Sequence, residues 1–148
     1  MRFVIQKVGS ASVSVDDKIV SEIGNGLLVL VGLGVDDSKE DFDYFIKKIL
    51  NMRIFEDEER KMNKSVIDVG GEILLISQFT LYADCKKGNR PSFVKAMSPE
   101  KAKVMYEDFV ENFKKNYVSE KVKNGVFGAF MKVSLVNDGP VTIVLEHN

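Results

Sequence analysis

The run Glu72, Ile73, Leu74, Leu75, Ile76, Ser77, Gln78, Phe79, Thr80, Leu81 passes from an unbroken apolar strand into hydroxyl and amide side chains. Polar groups at the end of a buried strand need partners, which the protein or a ligand must supply. They can also simply satisfy backbone groups where a strand frays, so the run alone leaves both uses open. A second unusual run is Asn137, Asp138, Gly139, Pro140, which interrupts an apolar segment between Lys132–Val136 and Val141–Leu145. On local grounds it is a hairpin turn, because Asn and Asp bond their own backbone, Gly takes positive φ and Pro fixes φ. Pro140 complicates that reading, since it stands where a second hairpin strand should donate a ladder hydrogen bond.

The chemistry open to these residues is narrow. A nucleophilic Ser77 or Thr80 needs a base titrating near neutrality, and the chain has one histidine, the penultimate His147. Gly-x-Ser-x-Gly is absent, and Lys86 on an exposed loop lacks the burial that would make it a base. A Ser-His-Asp hydrolase is therefore not expected. One Cys and one His exclude the usual zinc sets, and Asp16, Asp17, Asp36 and Asp37 lack calcium-loop spacing. Gly32, Leu33, Gly34 is not followed by the residues of a phosphate loop. No metal and no cofactor is expected. Backbone amides remain, and an activated ester needs little more than an amide oxyanion hole and an oriented water.

The elements that must hold these residues follow from periodicity. Arg2–Val8 and Ala11–Val15 read as strands, the second alternating strictly, and Ile19–Ile23 as a third. Leu27–Leu33 is apolar enough to be buried on both faces. Ser38 can cap a helix whose positions Phe42, Phe45, Ile46, Ile49 and Leu50 form one stripe. Arg53–Phe55 reads as a short strand and Glu56–Lys64 as a polar excursion; Gly70 and Gly71 turn the chain into the strand from Glu72. A second helix starts at Ser98 and Pro99, burying Ala102, Met105, Tyr106, Phe109 and Phe113. Asn116–Phe130 reads as irregular, and a closing pair of strands flanks the Gly139–Pro140 break. The fold class is α/β: one sheet-rich domain over residues 1–148, mostly antiparallel, with two main helices against the sheet.

Composition fits that class. The 148 residues suit one domain, with 45% hydrophobic and 29% charged residues. The longest apolar stretch is far short of the roughly 20 residues of a spanning helix, and the N-terminus opens on a strand pattern; no membrane partner and a cytoplasmic location are expected. A single cysteine, Cys85, fits a reducing compartment. A net charge of −1 and a pI near 5.9 give no global sign of nucleic-acid binding. Lys86, Lys87 and Arg90 nevertheless form a basic cluster that is either a solvated loop or a local phosphate contact.

Ser77–Leu81 together with Asn137–Thr142 resembles the D-aminoacyl-tRNA deacylase family, also called D-tyrosyl-tRNA deacylase. The likeness extends through Gly26–Gly32, Arg53–Phe55, Lys61–Asn63 and Gly88–Phe93 and covers essentially the whole chain. It implies a homodimer with β/β/α layers that hydrolyses the ester joining a D-amino acid to the terminal adenosine of tRNA. It implies a cis Gly139–Pro140 bond on a loop that enters the partner's site, where its carbonyls reject L-amino acids. Ser77, Gln78, Phe79 and Thr80 would line the ester pocket, with amides near Phe79 and Thr80 holding the oxyanion. Phe93 and Met131 would lie on the substrate side, Met131 near the adenine, and Lys86, Lys87 and Arg90 on phosphates. Achiral glycine should partly slip through, Gly-tRNA mischarged on tRNA-Ala included; DNA is not an expected partner. The competing classes are an RNA-end binding module without turnover, a small-molecule esterase, and a structural dimer without ligand.

Overall fold

The computed structural model describes residues 1–147; Asn148, the last residue of the expected domain, lies outside the described residues. The organising strand is β1 (Arg2–Val15), which pairs along both edges. On one edge β2 (Lys18–Ile23) and then β3 (Gly26–Gly32) run antiparallel to it. β3 pairs parallel with β6 (Glu72–Ser77), and β6 parallel with β7 (Val122–Asn124). Each parallel pair needs a crossover, and the crossovers supply the helices. The first carries α1 (Phe42–Asn51) and a small hairpin of β4 (Phe55–Glu56) and β5 (Met62–Lys64); the second carries α2 (Pro99–Lys115).

Side-chain parity shows how the sheet becomes two layers. Phe3 and Ile5 of β1 share a core with Leu27, Val29, Val31, Ile73 and Leu75 and with the buried stripes of both helices. The alternate residues Leu28, Leu74 and Ile76 instead share a second core with Val8, Ala11, Val13 and Ile23. Regular alternation would put Val8 and Ala11 on opposite faces. Both enter the second core because β1 slips register at Gly9 and Ser10 and folds its second half over the sheet. Helices, sheet and folded-over sheet are the β/β/α layers.

The helical stripes fall where spacing predicts. Phe42, Phe45, Ile46, Ile49 and Leu50 are buried on α1, and α2 buries the expected five residues plus Val110. Phe3 packs 4.8 Å from Phe45 and 5.5 Å from Phe109, so β1 is held to both helices by aromatic contact. Ser38 caps a short 3-10 turn, Lys39–Asp41, that leads into α1, accepting from Glu40 N at 3.1 Å.

Three expectations need correction. The segment before β5 does not form a strand at Arg53; pairing begins at Phe55, and the polar excursion contains the returning strand β5. Asn116–Phe130 contains β7, hidden in sequence because one valine in three residues makes no pattern. The closing hairpin is not a hairpin. β8 (Lys132–Glu146) runs in one direction along the whole second edge of β1, from Ser14↔Lys132 to Arg2↔Glu146. Gln6 pairs with Thr142 and Val8 with Asn137, so Asp138–Val141 stand opposite Lys7 alone and are pushed out of the ladder. Asn137 closes this excursion, its Nδ2 donating to Lys7 O and Val141 O, each at 3.0 Å.

Gly26 is the tightest point between β3 and β6. A Cβ there would fall 1.9 Å from the Glu72 carbonyl oxygen, which is backbone and cannot move aside. Gly26→Ala is expected to destabilise the fold by at least 1–3 kcal/mol, as overpacking does, seen as a lowered urea midpoint; an unchanged midpoint would contradict the close approach.

Candidate functional site

β6 delivers its C-terminal residues to an open cleft. After Ser77 the chain leaves the sheet, Gln78 N donating to Val31 O at 2.8 Å, and enters a 3-10 turn, Phe79–Tyr82. Leu81 N donates to Gln78 O and Ala83 N to Thr80 O. The amides of Phe79 and Thr80 open the turn, so no carbonyl within it can accept from them. They lie at the edge of a cleft of about 740 Å³ between the ends of β3 and β6, the start of α2 and residues 127–131. A second hollow of about 520 Å³, over Ser10–Ser12 and Ser134–Val136, holds none of the expected residues.

The cleft brings together Ser77, Gln78, Phe79, Phe93 and Met131. Thr80 stands beside it, exposed, with its Oγ1 accepting from Gln78 Nε2. Among the described residues no ionisable side chain hydrogen-bonds that hydroxyl, and the one histidine, His147, packs 4.9 Å from Tyr44 on α1. Among the described residues no three His, Cys, Asp or Glu side chains gather to hold a metal ion. Gly125 packs behind two cleft residues: a Cβ there would fall 2.6 Å from the Met131 sulfur and 3.0 Å from Ile76 Cδ1. At the mouth Phe79 and Phe93 meet edge to face at 5.0 Å, and Phe130 is 99% exposed. Aromatic rings left in water beside a cleft mark a surface that something apolar covers.

Phe127, Phe130 and the first turn of α2 also line the cleft, and none of them stands out in the sequence as a site residue. The two phenylalanines, each following a valine or alanine in an otherwise patternless stretch, are the available signal. Tyr82 has no role that sequence suggests; its hydroxyl donates to Asp37 Oδ2 at 3.1 Å, and its ring lies where a side chain at Gly34 would be.

Lys86, Lys87 and Arg90 lie on an exposed loop next to Phe93, closed by Asp84 N to Ser92 O at 2.8 Å and the reciprocal bond at 2.9 Å. None of the three side chains is in an ion pair among the described residues. Gly139 and Pro140 are not brought to the cleft of their own chain. Their peptide bond is cis, Gly139 has φ +119°, and both residues are exposed. Val8 pairs with both Asn137 and Gly26, whereas the cleft begins at Val31, five residues further along β3. That separation is roughly 16 Å at about 3.3 Å per residue.

Comparisons with known proteins bear on the whole chain. The family model described as D-Tyr-tRNA(Tyr) deacylase matches residues 4–146. Relatives called D-aminoacyl-tRNA deacylase include one from Thermosipho africanus, 58% identical, and one from Clostridium kluyveri, 56% identical. Each match covers 99% of this chain and 97% of the relative. A solved structure called c-Myc DNA Unwinding Element Binding Protein superposes with a TM-score of 0.95 at 46% identity, covering 100% of this chain and 99% of that one. A probable eukaryotic D-amino acid tRNA deacylase shares the fold, with a TM-score of 0.83 at 18% identity over 97% of each chain.

Three phenols sit above their ordinary range, and two of them brace this region. Burial raises Tyr106, which donates to Leu75 O at 2.9 Å, and Tyr117; burial and then the Asp37 carboxylate raise Tyr82. Folding thus favours the protonated phenols, a contribution complete below the unfolded value of about 10 and lost as pH rises from there through the folded values. The urea midpoint is expected to fall as pH rises from about 10 to 12, and to fall less steeply in Tyr106→Phe; equal slopes would contradict the assignment.

Proposed function

Because the chain belongs to the D-Tyr-tRNA(Tyr) deacylase family and is a hydrolase of the D-aminoacyl-tRNA ester, we propose that the Phe79–Tyr82 turn is where that ester is cleaved. The observation that carries the reading is two amides, those of Phe79 and Thr80, with no acceptor among the described residues, at the edge of an aromatic-mouthed cleft whose lining has no side-chain base among them. The scissile carbonyl sits against these amides, which stabilise the oxyanion as it forms. Ser77 and Gln78 line the pocket, Phe93 lies on the substrate side, and Met131 packs near the terminal adenine. With no general base, the vicinal 2′-hydroxyl of the RNA assists water, and positioning supplies most of the rate.

The Gly139–Pro140 excursion is the chirality filter, and it acts in the cleft of a second copy. Its distance from its own cleft supports this reading, as does the exposed outer strand β8, with Val136 61% and Val144 63% exposed. Backbone carbonyls placed against the α-carbon exclude an L side chain and leave the D side chain unread. Broad D-amino-acid scope follows, with partial cleavage of glycyl esters, including Gly-tRNA mischarged on tRNA-Ala. Lys86, Lys87 and Arg90, free of ion pairs beside Phe93, take the phosphates of the acceptor end.

Deacylation of D-Tyr-tRNA, L-Tyr-tRNA and D-Tyr ethyl ester tests the whole reading. Rapid loss of the first alone is expected, with Thr80→Ala keeping activity within roughly tenfold (about 1.4 kcal/mol). Equal loss of both tRNA esters would remove the filter. Turnover of the ethyl ester would indicate a general esterase, and binding without turnover an RNA-end module. Loss of several orders of magnitude in a folded Thr80→Ala protein would make the hydroxyl the nucleophile.

Replacing Lys86, Lys87 and Arg90 by alanine is expected to raise KM for tRNA and flatten its salt dependence, by a log–log slope of about 0.7 for each single-strand phosphate that these side chains neutralise. An unchanged slope would return these residues to a solvated loop.

A further inference from the structure

The turn that carries the proposed oxyanion amides is held from behind by residues far from it in sequence. Arg2 reaches it from the start of β1: its Nη1 donates to Leu81 O at 2.7 Å, a carbonyl of the turn itself. Its Nε donates to Glu146 Oε2 at 2.6 Å, at the end of β8, and its guanidinium lies 5.0 Å from the centre of the Tyr82 ring. Tyr82, the last residue of the turn, donates its hydroxyl to Asp37 Oδ2. The same oxygen accepts from Gly34 N at 2.6 Å, while Oδ1 pairs with the Met1 ammonium. Asp37 is therefore fixed by three donors, and the turn is tied through Tyr82 to that fixed point.

The turn is confined at a second point as well. Gly32, paired with Arg2 across β1 and β3, lies beneath it. A Cβ at Gly32 would fall 2.9 Å from Leu81 Cβ and 3.2 Å from Gln78 O. The turn is thus held at Leu81 by Arg2, anchored through its own Tyr82 to Asp37, and packed at Leu81 and Gln78 against the space that Gly32 leaves. A planar guanidinium that bonds a carbonyl, a carboxylate and a ring face at once fixes direction as well as distance.

We infer that Arg2 and Tyr82 are positioning residues for deacylation: they touch no substrate, and they set the direction in which the Phe79 and Thr80 amides point. The inference rests on reading those amides as the oxyanion donors. Amide direction matters most when charge develops on the ester oxygen, whereas ground-state binding depends on the aromatic mouth and the basic loop. Loss of the grip should therefore appear in kcat and leave KM alone.

Steady-state D-Tyr-tRNA deacylation by Arg2→Ala, Arg2→Lys, Tyr82→Phe and Gly32→Ala tests this, each variant checked by urea denaturation. Arg2→Ala is expected to lower kcat roughly 10- to 100-fold, the scale of a misplacement near 1 Å, with KM within twofold. Arg2→Lys, which keeps one donor and the charge, should recover part of the loss, and Tyr82→Phe should cost several-fold. Gly32→Ala pushes on the same turn at Leu81 and Gln78 and should also lower kcat. If Gly32→Ala is slow and Arg2→Ala retains wild-type kcat, the positioning inference fails while the site stands. If neither is slow, the turn is not the site and both fail. A loss carried in KM also overturns the inference. Should Arg2→Ala not fold, Tyr82→Phe decides: reduced kcat supports it and unchanged kcat overturns it.

Discussion

Pairing of β1 along both of its edges is the constraint on which the rest of the molecule depends. One edge takes β2 and β3, the other the whole of β8, so two segments more than a hundred residues apart in the chain meet the same strand. That pairing assigns the two unusual runs to different ends of β3. The polar end of β6 emerges beside Arg2 and Gly32, and the Asn137–Val141 excursion lies across from Gly26. The bend at Gly9 and Ser10 is part of the same arrangement, because it folds half of β1 into the second layer while the ladder with β8 continues.

The local chemistry follows from what a buried parallel strand can present at its end. β6 is apolar on both faces through Ile76, since it is covered by helices on one side and by the folded-over sheet on the other. Only beyond the last ladder bond can it offer amides, and the short turn there leaves two without acceptors among the described residues. Such donors cost no reorganisation when charge develops, provided that the turn holds still. Gly32 and Gly125 matter for this reason: each omits a side chain so that the turn or Met131 can pack where the cleft needs it. The deacylase reaction suits such a site because an aminoacyl ester is activated already and requires orientation more than a strong base.

Much of this is legible in the residues, in proportion to how local the determining physics is. The stripes of α1 and α2 obey helical spacing, β3 reads as doubly buried because its apolar run has no gaps, and β6 reads as a buried apolar strand. The polar end of β6 is visible as a composition change, and the cleft does gather Ser77, Gln78, Phe79, Phe93 and Met131. The Asn137–Pro140 run reads wrongly as a reversal because its turn chemistry is the same for a hairpin and for an excursion within one strand. Only long-range pairing with β1 distinguishes them. β7 escapes for a related reason: Val122, Lys123 and Asn124 become a strand because β6 offers an edge, and nothing in the three residues announces it. Tyr82 needs Asp37 and Arg2, which are distant in sequence, before its hydroxyl and ring have any purpose.

The central claim is that the Gly139–Pro140 excursion of one chain filters the cleft of another. The most direct measurement mixes two chains: one with Gly139 and Pro140 both replaced by alanine, the other with its cleft filled by Ala96→Trp, Ala96 being one of the cleft's lining residues. After co-assembly with the blocked chain in excess, every open cleft faces an intact excursion, so D-Tyr-tRNA should be cleaved and L-Tyr-tRNA spared even where the alanine variant alone cleaves both. Persistent cleavage of L-Tyr-tRNA in the mixed assembly would place the filter within one chain and contradict the account.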